Sequence, residues 1–276
     1  MLEKLPVNFI DILMGAPYNF DRVTLLITHY NRSKSLEHLL KRCAEEDLSF
    51  EEIVISDDGS KPEHLSYVKS LQQIYTFRLI TTPVNKGLGA NINRGQDAVK
   101  TRYTLYVQED FEPTCDFAPN FINAIKLMDT ESWDIIRFYT FPWAPFPYLK
   151  DYKLGYAEML FKPTLLHLNH LKFRLYSDHP HLRRSNFFQK FGRYIEGQRG
   201  DPTEYNMCMQ FIRKNGRALM FNGSPELFLH EHGAIEPNTM VRSKWKLSNS
   251  FFVSVMRNLY LKGKVVNSTI KLKKLN

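Results

Sequence analysis

Three short apolar runs, each closing on a polar turn, restrict what this chain can fold into more than any other feature. Residues 23–27 run into Thr28-His29-Tyr30-Asn31-Arg32, residues 52–55 into Ser56-Asp57-Asp58-Gly59-Ser60, and residues 103–107 into Gln108-Glu109-Asp110. Such brief, continuously apolar runs read as strands buried on both faces, the signature of a parallel sheet. Ligands in open α/β sheets sit outside the carboxyl ends of the strands. Two of the three ends deliver carboxylates there in pairs, and unpaired acids repel and are costly to desolvate. A bound cation, with a ligand rich in hydroxyl and amide donors, would account for them.

The 276 residues suit one large α/β domain with an appendage, and a 43% hydrophobic share is ample for a packed core. Cys43, Cys115 and Cys208 are odd in number and widely spaced, which argues against a disulfide framework and for a reducing cytosol. No apolar stretch approaches the roughly 18 residues that span a bilayer, and the first residues lack a signal-peptide core. The net charge of +8 is unevenly placed. Residues 1–236 hold 28 Lys and Arg against 29 acids, whereas residues 237–276 hold nine basic residues and no acid. The charge excess is a property of the tail.

Strand and helix signals alternate as far as residue 110. Leu36, Leu39, Leu40 and Cys43 predict a helix over 33–45. Ser60-Lys61-Pro62-Glu63 has the form of a capping box before a helix carrying Leu65, Val68 and Leu71. Residues 78–81 read as a short strand, and the glycine-bearing loop 85–91 leads into a helix toward Val99. This alternation implies right-handed crossovers and a mostly parallel central sheet flanked by helices. Further on, 121–128 and 203–215 read as helices, 133–139 and 217–222 as strands, and the proline-rich aromatic stretch 139–156 as a structured loop. The basic segment 179–184 reads as a solvated loop, with binding of a diphosphate or another anionic ligand as the alternative.

The order and spacing of four motifs carry a resemblance. Thr28, Tyr30 and Asn31; Asp57 through Ser60; Asn85, Gly87, Gly89, Asn93 and Gly95; and Gln108 through Asp110 together resemble the family 2 glycosyltransferases of GT-A fold. The match spans about 90 residues, and beyond Asp110 it survives only at scattered points. The resemblance implies a catalytic domain over 1–236, with a nucleotide-sugar-binding half (1–110), an acceptor-binding half (111–236) and a separate basic helical tail (237–276).

It also implies roles. Asp58 would accept the ring N–H of a nucleotide base, with Thr28 and Tyr30 enclosing base and ribose, and Asn31, Asp57, Lys86, Gly87, Asn93, Gln108 and Glu109 completing the nucleotide-sugar site. Asp110 would bind Mn²⁺ or Mg²⁺, which suit oxygen ligands. A late histidine, His232 ahead of His230, would assist. This sequence departs from the family at Gln108, where an aspartate is usual. Glu204, or else Asp201, would be the general base that takes the acceptor hydroxyl's proton.

The expected reaction is thus inverting, metal-dependent transfer from a UDP-sugar or another nucleotide-sugar to a saccharide or lipid-linked acceptor, in surface polysaccharide synthesis. The aromatic run 141–148 could stack on sugar faces or pack into the domain. Phe252, Val255, Met256 and Leu259 share one face of a basic helix that could lie on an anionic membrane surface, giving a cytoplasmic protein peripheral on the inner face. No nucleic-acid reader motif accompanies the charge. Two other readings are a non-catalytic nucleotide-sugar-binding protein and a sugar-nucleotide pyrophosphorylase. The latter would open on a Gly-x-Gly-x-Arg loop, and residues 28–32 contain no glycine.

Overall fold

The computed structural model describes residues 18–231, 234–237 and 251–273. The apolar runs do form strands: β1 (Tyr18–His29), β2 (Leu48–Asp57) and β4 (Tyr103–Gln108), with β3 (Arg78–Ile80) outside β2. Helices α1 (Ser33–Glu45), α2 (Pro62–Leu71) and α3 (Leu88–Ala98) make the crossovers. All four strands are parallel, in the order β3-β2-β1-β4. The chain winds outward from β1 to β3 and then returns to the far side of β1, so the order reverses between β1 and β4. Such a reversal opens a crevice at the strand carboxyl ends. The register puts those ends level, with His29 opposite Asp57 and Thr28 opposite Gln108.

Alternate residues of the central strands feed two cores. Leu25, Ile27 and Ile55 pack under α1 and α2, while Leu26, Val54 and Ile92 pack on the other face with Tyr106. Each face therefore buries a full apolar layer, which is why these strands show no polar alternation.

The second half is mixed. Short strand β5 (Phe111–Pro113) is followed by helix α4 (Phe117–Thr130), strand β6 (Ile135–Arg137) and an edge hairpin, β7 (Leu149–Asp151) with β8 (Tyr156–Met159). The aromatic stretch is thus a loop only as far as Tyr148, and its end pairs as a sheet edge. Strand β9 (His181–Arg184) lies antiparallel between β4 and β6. This corrects the solvated-loop reading of 179–184: Arg183 is fully buried, its guanidinium donating to Gln96 Oε1 at 2.6 and 3.0 Å and to Tyr194 Oη at 3.1 Å. A charge can enter a core when its donors are met.

Helices α5 (Phe187–Phe191) and α6 (Gly200–Arg213) and strand β10 (Ala218–Phe221) complete the main sheet and its cover. Strand β11 (Phe228–His230) then pairs with β5. The final helix, α7 (Phe251–Lys273), docks its C-terminal half through Val265 and Leu272 onto Phe173 and Met209. Val255, Met256 and Leu259 stay exposed. Among the described residues no helix is long and apolar enough to cross a membrane.

The capping-box expectation also needs correction. Lys61, not Ser60, precedes α2, and no side chain caps it. The Ser60 hydroxyl instead donates to Asp57 Oδ1 at 2.5 Å and accepts the Asn31 amide at 2.8 Å. The turn after β2 has captured it.

Candidate functional site

At the switch point the three strand ends are laced together by their own polar residues. Thr28 Oγ1 and Tyr106 Oη share a 3.0 Å hydrogen bond. The Arg32 amide donates to His29 Nε2 at 3.3 Å, which leaves Nδ1–H to donate to Asp57 Oδ1 at 2.8 Å. Asp57 also accepts the Gly59 and Ser60 amides and the Thr81 hydroxyl. Burial pushes this carboxyl up, but the hydrogen bonds from His29 and Ser60 outweigh it and hold it at about 2. Asp57 is fully buried with every contact internal, so it builds the turn that presents Asp58. Asn31 sits at φ 53°, a left-handed conformation asparagine tolerates, and accepts the Lys61 amide at 2.8 Å, tying the first turn to the second.

Asp58 faces the glycine loop. It accepts the Gly87 amide at 2.7 Å and the Lys86 amide at 3.2 Å to both oxygens, with the Arg94 guanidinium at 3.5 Å. Gly59, at φ 69°, lets the two loops close: a Cβ there would lie 2.6 Å from the Val84 carbonyl carbon. Tyr30 is half-buried at the rim, and the Lys86 side chain is exposed. Asn93 is turned away from this crevice, buried against the Tyr194 backbone and Glu196.

Next to β4 lies an acidic cluster organised by a buried cation. Arg32 donates to Asp110 Oδ2 at 2.7 Å, Glu109 Oε1 at 3.4 Å, Glu231 Oε2 at 3.4 Å and the Glu236 carbonyl at 3.3 Å. His230 Nε2 stands 3.3 Å from the same Asp110 oxygen. Burial and the adjoining Asp110 carboxylate push Glu109 up to about 8, against the pull of Arg32. Burial also raises Asp110, but the His230 and Arg32 contacts outweigh it and hold it below the usual range. Between the two candidate histidines, His230 is the one seen at Asp110, and His232 lies outside the described residues. Residues 228–231 and 234–236 strap this cluster: the Glu231 amide donates to the Asp110 carbonyl, and Glu236 Oε2 accepts the Lys34 and Ser35 amides, both at 2.9 Å, at the start of α1. Carboxylates are favoured at helix N-termini.

These residues suit a divalent cation shared with a diphosphate. Asp110 Oδ1 is buried without a hydrogen-bond partner, and the His230 imidazole adjoins its sister oxygen. Among the described residues no three His, Cys, Asp or Glu side chains converge as a complete shell, so a ligand and water would have to supply the rest.

A second acidic pair stands on the mixed half of the fold. Glu204, in the first turns of α6, is half-buried, and its Oε1 accepts the Ser177 hydroxyl at 2.5 Å and the Asp178 amide at 3.2 Å. Among the described residues no bond occupies Oε2. Asp178 is 4% exposed, and neither of its carboxylate oxygens has a hydrogen-bond partner. Burial, and then the Glu204 carboxylate, push it up to about 8. Asp201 lies exposed in the same first turn. From Asp178 the chain runs directly to His179, whose ring packs against Phe111, Tyr139 and Phe141, the rings that also flank His230. Part of the aromatic loop therefore walls the acidic cluster, while Trp143 is 64% exposed.

Sequence reasoning missed His29, Arg94, Asp178 and Glu231, placed Arg183 in a loop rather than a buried strand, and gave Arg32 no role. Arg32 had a signal, as the cation that closes the acid-free turn beside two acid-bearing ones. Asp178 had none, because nothing local marks it as buried beside Glu204.

Comparison with known proteins agrees with this fold. Residues 24–192 match the family model for glycosyl transferase family 2. Solved structures of S. aureus TarS are similar in fold. A complex of its residues 1–349 with UDP-GlcNAc aligns over 91% of this chain and 73% of that one, at TM-score 0.58 and 14% identity. A UDP complex aligns over 74% and 58%, at TM-score 0.52 and 16% identity. A cholesterol galactosyltransferase of Borreliella burgdorferi is 27% identical over 89 residues, 32% of this chain and 25% of that protein. The matched segment is thus a quarter of that relative's length.

Proposed function

The chain belongs to glycosyl transferase family 2, and from that premise we propose that it moves a sugar from a UDP-sugar to a saccharide hydroxyl with inversion. The observation that carries this reading is that the strand ends leading to Thr28, Asp58 and Asp110 lie level at one switch point, with the half-buried carboxylate of Glu204 held by the Ser177–Asp178 turn. TarS, its structural relative, is seen with UDP and UDP-GlcNAc, which supports uridine as the base.

In this reading Asp58 exchanges one of the long Lys86 contacts for the uracil ring N–H. Thr28 and Gln108 line the ribose side. Asp110 and His230 would hold a divalent cation, Mn²⁺ or Mg²⁺, whose Lewis acidity would offset the charge of the departing diphosphate. Glu204 Oε2 receives the acceptor proton as the acceptor oxygen attacks the anomeric carbon and UDP leaves. The Ser177 hydroxyl and Asp178 amide hold Oε1, which fixes the carboxylate plane and leaves the other oxygen to the substrate. Asp201, exposed and three residues earlier, is the less favoured base.

The acceptor is a saccharide, free or lipid-linked. A basic tail with exposed Val255, Met256 and Leu259 suits binding on an anionic membrane surface from the cytoplasmic side, in surface polysaccharide synthesis. The test is UDP release from a panel of UDP-sugars, with and without Mn²⁺. Glu204→Gln is expected to cut kcat about 100-fold or more with KM for the donor little changed. Full turnover by this variant would remove Glu204 as base, and no release from any UDP-sugar would remove the donor class.

A further inference from the structure

Arg32 is a poor fit to an ordinary structural ion pair. The residue is 2% exposed, and its guanidinium reaches three carboxylates and a carbonyl, drawn from the turn after β4 and from the strap. Its Nε–H is buried with no acceptor, and Asp110 Oδ1, on the carboxylate it grips, is buried with no donor. Buried polar atoms left unpaired are rare and need a reason. Here one donor and one acceptor are unpaired on two groups already in contact. An anionic group would satisfy the first, and a cation the second.

We propose that Arg32 is the resident counter-ion of the Asp110 site: it competes with a free divalent cation for the acidic cluster, so that metal enters with the nucleoside diphosphate rather than before it. A guanidinium 2.7 Å from Asp110 Oδ2 cancels the charge that would attract a dication and repels the dication directly. A diphosphate brings its own negative charge, offers an oxygen to Arg32 Nε–H, and makes room for two cations. Gln108 acts in the same direction, because a neutral residue stands where an acid is usual and the cluster has less charge to spare for a metal. The inference rests on the donor reading above but concerns the order and strength of cation binding, which that reading leaves open.

The test is Mn²⁺ titration of the full chain, followed by the electron paramagnetic resonance signal of free Mn²⁺, with no substrate turnover. Wild type is expected to bind Mn²⁺ weakly alone and at least about tenfold more tightly with saturating UDP. Arg32→Met is expected to bind Mn²⁺ about tenfold more tightly than wild type without nucleotide, and Arg32→Lys, which keeps the charge, to stay close to wild type. Asp110→Asn should lose Mn²⁺ in every background. Wild type binding Mn²⁺ equally well with and without bound UDP would overturn the proposal, and that arm needs no variant to fold. So would folded Arg32→Met with unchanged affinity, or Arg32→Lys tightening as much as Arg32→Met. Failure of UDP itself to bind, in a separate titration, would sink the donor reading instead.

Discussion

Asp178 shows how an individual residue can differ from what its neighbours in sequence suggest. Its carboxyl is pushed up to about 8, whereas in an unfolded chain it would sit near 4. The folded state therefore holds a proton that the unfolded state has lost, and stability falls as pH rises from about 4 toward 8. Asp178→Asn removes that loss. Its melting temperature relative to wild type is expected to be higher at pH 7.5 than at pH 4, read by calorimetry at both values. An unchanged difference would mean Asp178 is ionised in the fold. Asp57 has the opposite sign: held at about 2, it contributes stability above pH 4 that disappears as pH falls toward 2. Both aspartates sit in polar turns in the sequence. The turn that holds Asp57 was legible because its motif has a fixed pattern, although the contacts of Asp57 are internal and not those of the predicted nucleotide-sugar ligand, whereas Asp178 acquires its character only from α6 packing across it.

Among elements, those set by local pattern were legible and those set by pairing were not. The helix over 33–45 appears with those bounds because Leu36, Leu39, Leu40 and Cys43 make one buried face. Strand β9 was missed because two arginines and a histidine in four residues look solvated, while Gln96, which accepts from the Arg183 guanidinium, lies 87 residues away in sequence. Strand β11 and the strap behind it are similarly short, and only pairing with β5 and the Glu236 contact at α1 define them. The glycine loop lies between these cases. Its sequence was plain, but its closure on Asp58 depends on Gly59 approaching Val84 and Asn85. Gly59→Ala would place a Cβ 2.6 Å from backbone at a positive φ. It is expected to cost about 1–3 kcal/mol and to weaken UDP binding, seen by denaturation and by titration. Wild-type affinity in this variant would show that the loop does not shape the site.

For the whole molecule, the parallel half was readable as a fold because buried strands and crossovers leave a strong pattern. The mixed half was readable only in part: α4, β6, α6 and β10 lie where their apolar patterns predict them, whereas β7, β8, β9 and β11, three or four residues long, leave no such pattern. The tail divides the same way: the C-terminal half of α7 is a packing element, and its other half keeps apolar residues in solvent beside basic ones. Met256→Glu combined with Leu259→Glu is expected to reduce cosedimentation with anionic vesicles by severalfold and to leave UDP release unchanged. Equal cosedimentation would remove the membrane contact. In the proposed reading this organisation converges on the crevice between β1 and β4. A crystal structure with UDP and Mn²⁺ tests it most directly. It should place the uracil edge on Asp58 and the diphosphate between Asp110 and Arg32. UDP bound elsewhere, or contacting neither aspartate, would contradict it.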